Sequence, residues 1–438
     1  MRNKLYKVGL YTLGCKVSLY ETEAVAEAFE KEGFEICAFD EVCDAYVINT
    51  CTVTAESDAK SRKYIRRAVR KNPDAVVAVI GCYSQRDPKA VSKIEGVSVT
   101  LGTQDKLSVV KTVRDMLDSG ERKKICSVGS LDGVPFEPMK IERAPRVRAY
   151  VKIEDGCECR CTYCAISAAR GPVRSKPKED VISEVEALAK GGVKEVVLTG
   201  IETGSWGADF DEKCTLADLL GELDARGSCE RVRLGSMAPE LVNEDFIKKI
   251  APLKIMTPHI HLSVQSASSD VLRVMKRRYN ADMLCRNVEL LRKYIPNIQL
   301  TADLMVGFPG ESEDDFLKTL EFVGRAQLLD AHVFAYSVRE GTPAAEYDGQ
   351  IPEVLKQERS RALIAECHRV RDGVLSRAVE EGVPLPVVFE TKGSRGYVGH
   401  SDSYIEVCAE CCRDMRGEMA LVIPTGHENG VLYGKIKE

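Results

Sequence analysis

No apolar run in this chain approaches the ~18 residues that a membrane-spanning helix requires, so a membrane partner is not expected. The opening stretch, Met1 to Gly9, moves straight into strand-like sequence without the apolar core of a signal peptide, and a cytoplasmic location is the expectation. Basic charge is equally scarce. With 62 Lys and Arg against 67 Asp and Glu, the formal net charge is −5 and the sequence pI about 5.9. That argues against a protein that coats nucleic acid through its overall charge, while leaving room for a local basic patch. Histidine occurs only six times, which makes mixed Cys/His zinc sites less fitting than all-thiolate iron–sulfur sites. Against these shortages stand 17 cysteines in 438 residues. A long chain without a signal is not a secreted disulfide framework, and in a reducing compartment such cysteines point to metal ligands or catalytic groups.

The hydropathy pattern divides the chain into an α/β part, a linker, a second α/β part and a small β appendix. In residues 1–117, KVGLYTLGC (7–15), AYVINTC (45–51) and VVAVIGC (76–82) read as strands, with helices over Leu19–Glu32 and Ala55–Lys71. This alternation predicts a doubly wound parallel-sheet domain. Residues 118–147 hold Gly129, Gly133, Pro135, Pro138 and Pro145 without a clear period and read as a linker. From 148 to 381 six strands are expected: RAYVKIE (148–154), EVVLTG (195–200), RVRLGSM (231–237), HIHLSVQ (259–265), LTADLMVG (300–307) and AHVFAYSV (331–338). Six strands with helices between them suit a partial (β/α)6 barrel, and Leu355–Glu381 reads as a long charged helix closing this part. Residues 382–438 form short strands with glycine turns, consistent with a small β-barrel.

Two sets of cysteines carry the chemistry. Cys157, Cys161 and Cys164 follow the first strand of the second part at a spacing that lets three thiolates wrap one corner of an iron–sulfur cubane. Such clusters usually take four thiolates; three leave one iron open to a ligand. A zinc knuckle or redox loop is the plainer alternative, set against the position at the C-terminal end of a barrel strand, where such folds place chemistry. Cys159 reads as a bystander. Cys15, Cys51 and Cys82 are far apart in sequence, yet each closes a predicted strand, so a parallel sheet would bring them to one edge. Gly14 and Gly81 precede two of them and would let backbone approach a bulky group. The alternative is coincidence among small buried cysteines, the reading adopted for Cys37, Cys43, Cys126, Cys214, Cys229, Cys285 and Cys367.

The segment from Asp155 to Gly171, with Ala169-Arg170-Gly171 at its end, resembles the radical S-adenosylmethionine (SAM) superfamily and, within it, the methylthiotransferases. TLGCKVSLYETEA (12–24), NTCTVT (49–54) and GCYSQ (81–85) are similar to the N-terminal domain of the same family, as is the ordered series RLGSMAP, PHIHLSVQSAS, DLMVGFPGESEDDF and HVFAYSVREGTPAA. Ser18 stands where the family usually has asparagine and Ala267 where it usually has glycine. The resemblance implies two [4Fe–4S] clusters, one on Cys157, Cys161 and Cys164 that cleaves SAM, and an auxiliary one on Cys15, Cys51 and Cys82 that carries the sulfur to be inserted. It also implies SAM contacts from Gly200, Glu202, Gln265 and Ser266. Residues from Gly382 onward resemble the TRAM RNA-binding domain, although six Lys and Arg there face eight Asp and Glu.

The activity implied is replacement of a C–H by C–SCH3 on adenosine 37 of the tRNA anticodon loop, with an electron donor such as flavodoxin or ferredoxin. Cys15-Lys16-Val17, Glu21 and HVFAYSVREGTPAA look most like the branch acting on N6-threonylcarbamoyladenosine. The isopentenyladenosine and ribosomal protein S12 branches are the alternatives, and a non-catalytic iron–sulfur RNA-binding protein is the reading from another class. For RNA contact, seven cations crowd residues 60–71 (Lys60, Arg62, Lys63, Arg66, Arg67, Arg70, Lys71), which is either a phosphate-binding face or a solvated one. Arg277 and Arg278 are further candidates. His259 and His261 alternate on one strand, where packing or hydrogen bonding is expected rather than metal binding.

Overall fold

A computed structural model describes residues 5–437; Met1 to Lys4, part of the opening stretch, lie outside the described residues. The first sheet contains β1 (Lys7–Thr12), β2 (Glu35–Cys37), β3 (Ala45–Thr50), β4 (Val76–Gly81), β5 (Val97–Leu101) and β6 (Ile125–Ser127) in the order β2-β1-β3-β4-β5-β6. All of its pairings are parallel. Every residue of β3 and β4 is buried, as expected where helices cover both faces of a parallel sheet. Three helices matter for the site: α1 (Lys16–Lys31) after β1, α2 (Ala55–Lys71) after β3, and the short α3 (Cys82–Arg86) after β4. Thr54 caps α2, its hydroxyl accepting the Ser57 N–H, and the helix stops before Asn72-Pro73 as its sequence requires.

The segment 118–147 is not a free linker. It contributes the edge strand β6, and Met139 and Ile141 beyond it are buried in the main core. The Met139 carbonyl accepts from Tyr20 of α1 and from Lys176. The glycines and prolines hid this, because a three-residue strand leaves no readable period.

The central part is an arc of parallel strands: β7 (Arg148–Lys152), β10 (Glu195–Thr199) and β11 (Arg231–Leu234), then β12 (Ser236–Met237), β13 (His259–Gln265), β14 (Gln299–Val306) and β15 (Asp330–Ala335). A small antiparallel ladder, β8 (Glu154–Asp155) with β9 (Arg174–Ser175), flanks the first strand. The expected strand 231–237 is divided at Gly235. Its N–H bonds Leu198 O at 2.8 Å, and a Cβ there would meet Leu198 O at 3.2 Å and Thr203 Oγ1 at 3.0 Å. Helix α1 packs on β7, so the first sheet leans on the opening edge of the arc. Helix Glu353–Glu381 packs on β15 and reaches the C-terminal unit. That unit is a closed barrel of β16 (Leu385–Gly393), β17 (Gly396–Ser401), β18 (Glu406–Ala409), β19 (Met419–Glu428) and β20 (Val431–Ile436). Among the described residues, no helix is long and apolar enough to cross a membrane.

Candidate active site

The strand ends bring both cysteine sets to one cavity of about 380 Å³, lined by Cys15, Cys51, Cys82, Cys157, Cys161 and Cys164. Cys15 sits at the N-cap of α1, Cys51 directly follows β3, and Cys82 opens α3. Because β1, β3 and β4 are neighbours in the sheet, their C-terminal ends bring the three cysteines to one edge of it. The opposite wall is the 157–164 loop. All of these cysteines are free, and a thiol-only donor set suits iron–sulfur chemistry.

Gly14 and Gly81 serve local packing rather than a ligand. Both have positive φ, +119° and +100°. A Cβ at Gly81 would fall 2.3 Å from Asn49 Oδ1 and 2.7 Å from Thr50 O, and one at Gly14 would fall 3.0 Å from Ser18 Oγ and 3.3 Å from Cys51 Cβ. The departure at Ser18 lies against the site, with its hydroxyl 3.9 Å from Cys15 Sγ.

Two sulfurs accept from guanidinium groups, one fully buried (Arg170) and one half-buried (Arg277). Arg170 Nε donates to Cys82 Sγ at 3.1 Å and Arg277 Nη1 donates to Cys161 Sγ at 3.3 Å. Main-chain N–H groups of Cys159 and Ile166 lie 3.5 and 3.4 Å from Cys157 Sγ and Cys164 Sγ. Burial pushes the thiols of Cys82 and Cys164 up to about 11 despite these donors, and raises Cys51 and Cys161 as well. A nucleophilic cysteine needs a depressed pKa, whereas a metal ion ionises a coordinating thiol outright. None of these four thiols is activated as a nucleophile would be.

Cys159, read as a bystander, also lines the cavity, and its hydrogen bond with Cys157 lowers its thiol to about 7. Gly200, Glu202 and Gln265 line the same cavity. Burial pushes the Glu202 carboxyl up to about 8, and its Oε1 accepts the Ala238 N–H at 3.1 Å. Gln265 takes a left-handed φ of 60°, and its buried Oε1 has no partner within the chain. A left-handed non-glycine backbone and an orphaned buried acceptor coincide at this cavity residue. Ser266 turns elsewhere: its hydroxyl meets Thr319 Oγ1 at 3.3 Å and accepts the Ser268 N–H at 3.1 Å.

Other expectations sort by burial. Arg277 is spent on Cys161, on Ser263 O at 3.0 Å and on Tyr279 Oη at 3.3 Å, which leaves its guanidinium committed inside the protein. Arg278 is exposed and donates to Glu158 O. His259 and His261 both meet the Thr301 hydroxyl, at 2.9 and 2.8 Å, in line with the hydrogen-bonding role. Cys126, taken for a core residue, is exposed on the edge strand β6. On α2, Lys60 pairs with Glu56, Arg67 with Asp40, and Arg62 donates to Tyr83 Oη, while Lys63, Arg66, Arg70 and Lys71 are exposed.

The most consequential feature missed by sequence reasoning is a buried ion cluster behind the cysteines. Glu21 of α1 accepts from Arg170 at 2.6 Å and Lys152 at 2.8 Å, with Lys106 Nζ at 3.1 Å. Asp155 joins Lys152 at 2.6 Å, Arg170 at 3.2 Å and Arg174 at 3.4 Å. A second junction binds the first sheet to the loop after β15, where Arg339 Nη2 donates to Thr52 Oγ1 at 2.8 Å and Asp58 Oδ2 at 2.7 Å.

An arc of parallel strands with a cysteine loop after its first strand and a polar ligand pocket at its C-terminal end defines a radical SAM enzyme. The model of the Radical SAM superfamily matches residues 151–323, and that of Uncharacterized protein family UPF0004 matches residues 7–102. Threonylcarbamoyladenosine tRNA methylthiotransferase MtaB of Bacillus subtilis (strain 168) is 38% identical over 421 residues, 95% of this chain and 93% of that protein. The tRNA-2-methylthio-N(6)-dimethylallyladenosine synthase of Carboxydothermus hydrogenoformans is 34% identical over 370 residues, 83% of each chain. Among solved structures, the radical SAM methyltransferase TsrM of Kitasatospora setae aligns with a TM-score of 0.56 and 18% identity over 78% of this chain and 74% of that one, a likeness of fold. The chain belongs to the radical SAM methylthiotransferase family. It is an enzyme that uses SAM and an iron–sulfur cluster.

Proposed function

We propose that the protein inserts a methylthio group at C2 of N6-threonylcarbamoyladenosine 37 in tRNA. The observation that carries this reading is the near-full-length similarity to the Bacillus subtilis threonylcarbamoyladenosine tRNA methylthiotransferase. The single cavity with two thiol triplets supports the chemistry. In this reading Cys157, Cys161 and Cys164 hold the SAM-cleaving cluster, and Cys15, Cys51 and Cys82 hold a second one. When bound, these groups and SAM supply the reducing electron, the carbon radical and the sulfur that an unactivated C–H bond demands.

The protein's own residues position and insulate them. Arg170 and Arg277 donate to one sulfur of each triplet. Gln265 Oε1 offers an unpaired acceptor, and Glu202 a buried carboxyl, to the SAM amino group beside Gly200. Tyr336, buried and lining the same cavity, helps to exclude water. An electron donor such as flavodoxin or ferredoxin completes the reaction.

Mass spectrometry of tRNA nucleosides from a strain lacking this gene tests the substrate. The methylthio-threonylcarbamoyl nucleoside should disappear and return when the gene is restored. If it persists while the methylthio-isopentenyl nucleoside disappears, the substrate assignment is wrong.

The exposed cations of α2 bear on tRNA capture. Helix α2 begins four residues after Cys51, and its exposed cations start at Lys60, nine residues after that cysteine. Replacing Lys63, Arg66 and Arg70 with alanine should weaken tRNA binding and reduce the slope of log K against log salt by about 2–3, as expected for three lost phosphate contacts. An unchanged slope in a filter-binding series would assign this face to solvent.

A further inference from the structure

The segment that carries the 157–164 triplet ends by leaving that triplet and reaching the other one. Arg170 closes the short helix Ile166–Arg170, which packs against α3, the helix that begins with Cys82. Its guanidinium is fully buried. Nε points at Cys82 Sγ at 3.1 Å, Nη1 binds Glu21 at 2.6 Å and Asp155 at 3.2 Å, and Nη2 binds Glu21 at 3.3 Å.

An ordinary buried ion pair does not account for this arrangement. The cluster sets four cations, Arg170, Lys106, Lys152 and Arg174, against three carboxylates, Glu21, Asp155 and Glu137. One positive charge is left over, and a buried unpaired charge is costly. The acceptor at the end of the chain of contacts is the sulfur of Cys82, which faces that excess charge through Arg170 Nε at 3.1 Å. Asp155, two residues before Cys157, holds the same guanidinium from the other side. Arg170 therefore spans the gap between the two triplets.

We propose that Arg170 is a positioning residue for the second cluster: its N–H···S bond to Cys82 sets that cluster's reduction potential and ties it to the SAM-cleaving loop. The inference rests on the two-cluster reading. Hydrogen bonds to a cluster's sulfurs and net positive charge nearby are two of the levers that set its potential, and both favour the more negative, reduced form. Lysine retains the charge but lacks the planar fork that serves a sulfur and two carboxylates at once. Glutamine loses the charge as well.

The test uses the full-length protein with Cys157, Cys161 and Cys164 all replaced by alanine, which leaves only the second site. Its iron content is measured first. Iron at the level of one four-iron cluster upholds the two-cluster reading; no iron overturns that reading, and with it the role given to Arg170. Potentiometric titration followed by electron paramagnetic resonance should then give a more negative midpoint for Arg170→Lys and a still more negative one for Arg170→Gln. Arg170→Lys keeps a cation in the buried cluster and carries the test if Arg170→Gln fails to fold. In the protein with both cysteine triplets intact, Arg170→Lys should lower the methylthio product formed per SAM cleaved by about tenfold, the lower end of what loss of a ligand's supporting contact produces. An unchanged midpoint at full iron occupancy would overturn the role of Arg170 while leaving the second cluster in place.

Discussion

Glu21→Gln should destabilise the protein by about 3–5 kcal/mol, the usual consequence of removing one partner from a buried charge set. Glu21 has no solvent exposure, and three cations, Arg170, Lys152 and Lys106, converge on its carboxylate. A glutamine oxygen still accepts a hydrogen bond but carries no charge, so the cationic excess of the cluster grows by one. The members come from α1, from the loop after β5, from β7 and from the cysteine loop, and the damage falls on the junction between the first sheet and the arc. Exposed Glu56 on α2, paired with Lys60, is the control, and its glutamine variant should keep the parent's urea midpoint.

The pH dependence follows from the same geometry. Burial alone would raise the Glu21 carboxyl, but Arg170, Lys106 and Lys152 outweigh it and hold it well below the ordinary range. A depressed carboxyl contributes its full stability above the unfolded value, about pH 4.3, and loses it as the pH falls through the folded value. The gap between parent and Glu21→Gln should therefore be widest near neutrality and narrow in strong acid. Urea midpoints of the apoprotein, taken without oxygen, measure it; midpoints that match at pH 7 would remove the cluster from the account of stability.

Single cysteine replacements should separate the two triplets. Cys157→Ala is expected to lower reconstituted iron from about eight to about four per chain, since each cluster holds four, and to abolish reductive formation of 5′-deoxyadenosine from SAM. Cys82→Ala should lower iron by the same amount and abolish methylthiolation, with SAM cleavage still detectable. The difference follows from placement. Cys157 lies on the wall shared with Gly200, Glu202 and Gln265, whereas Cys82 lies across the cavity at the edge of the first sheet. Equal loss of SAM cleavage in the two variants would mean that the thiols do not form two functional sets.

Much of this site was legible because it is built from local signals. Strand β4 is a continuous apolar run and β3 is apolar from Ala45 to Ile48, and each strand is followed at once by a cysteine, so the parallel sheet predicts their convergence. Helix α2 begins and ends where its cap and the following proline place it. The ion cluster was not legible, because Glu21 and Asp155 lie 134 positions apart and no periodicity links a charge on one element to a charge on another. Arg277 looked like a surface cation for the same reason: only the fold folds it back onto Cys161. Gly14 and Gly81 were read as letting backbone approach a bulky group, and the space beside them is taken by side chains and backbone of the first sheet and α1.

The C-terminal barrel meets the arc at the end opposite the cysteines. Tyr404, at a φ of 73°, stacks on His259 at 4.5 Å and lies under Arg233 at 4.9 Å, while Arg231 and Arg148 reach Pro386 O and Glu390 from the first residues of their strands. The tyrosine stoppers the lower mouth of the arc, and the barrel is bolted there rather than left to swing. An RNA that touches this barrel while its target base enters the cavity must run the height of the strands between, about 26 Å for the eight residues of β14 at 3.3 Å each.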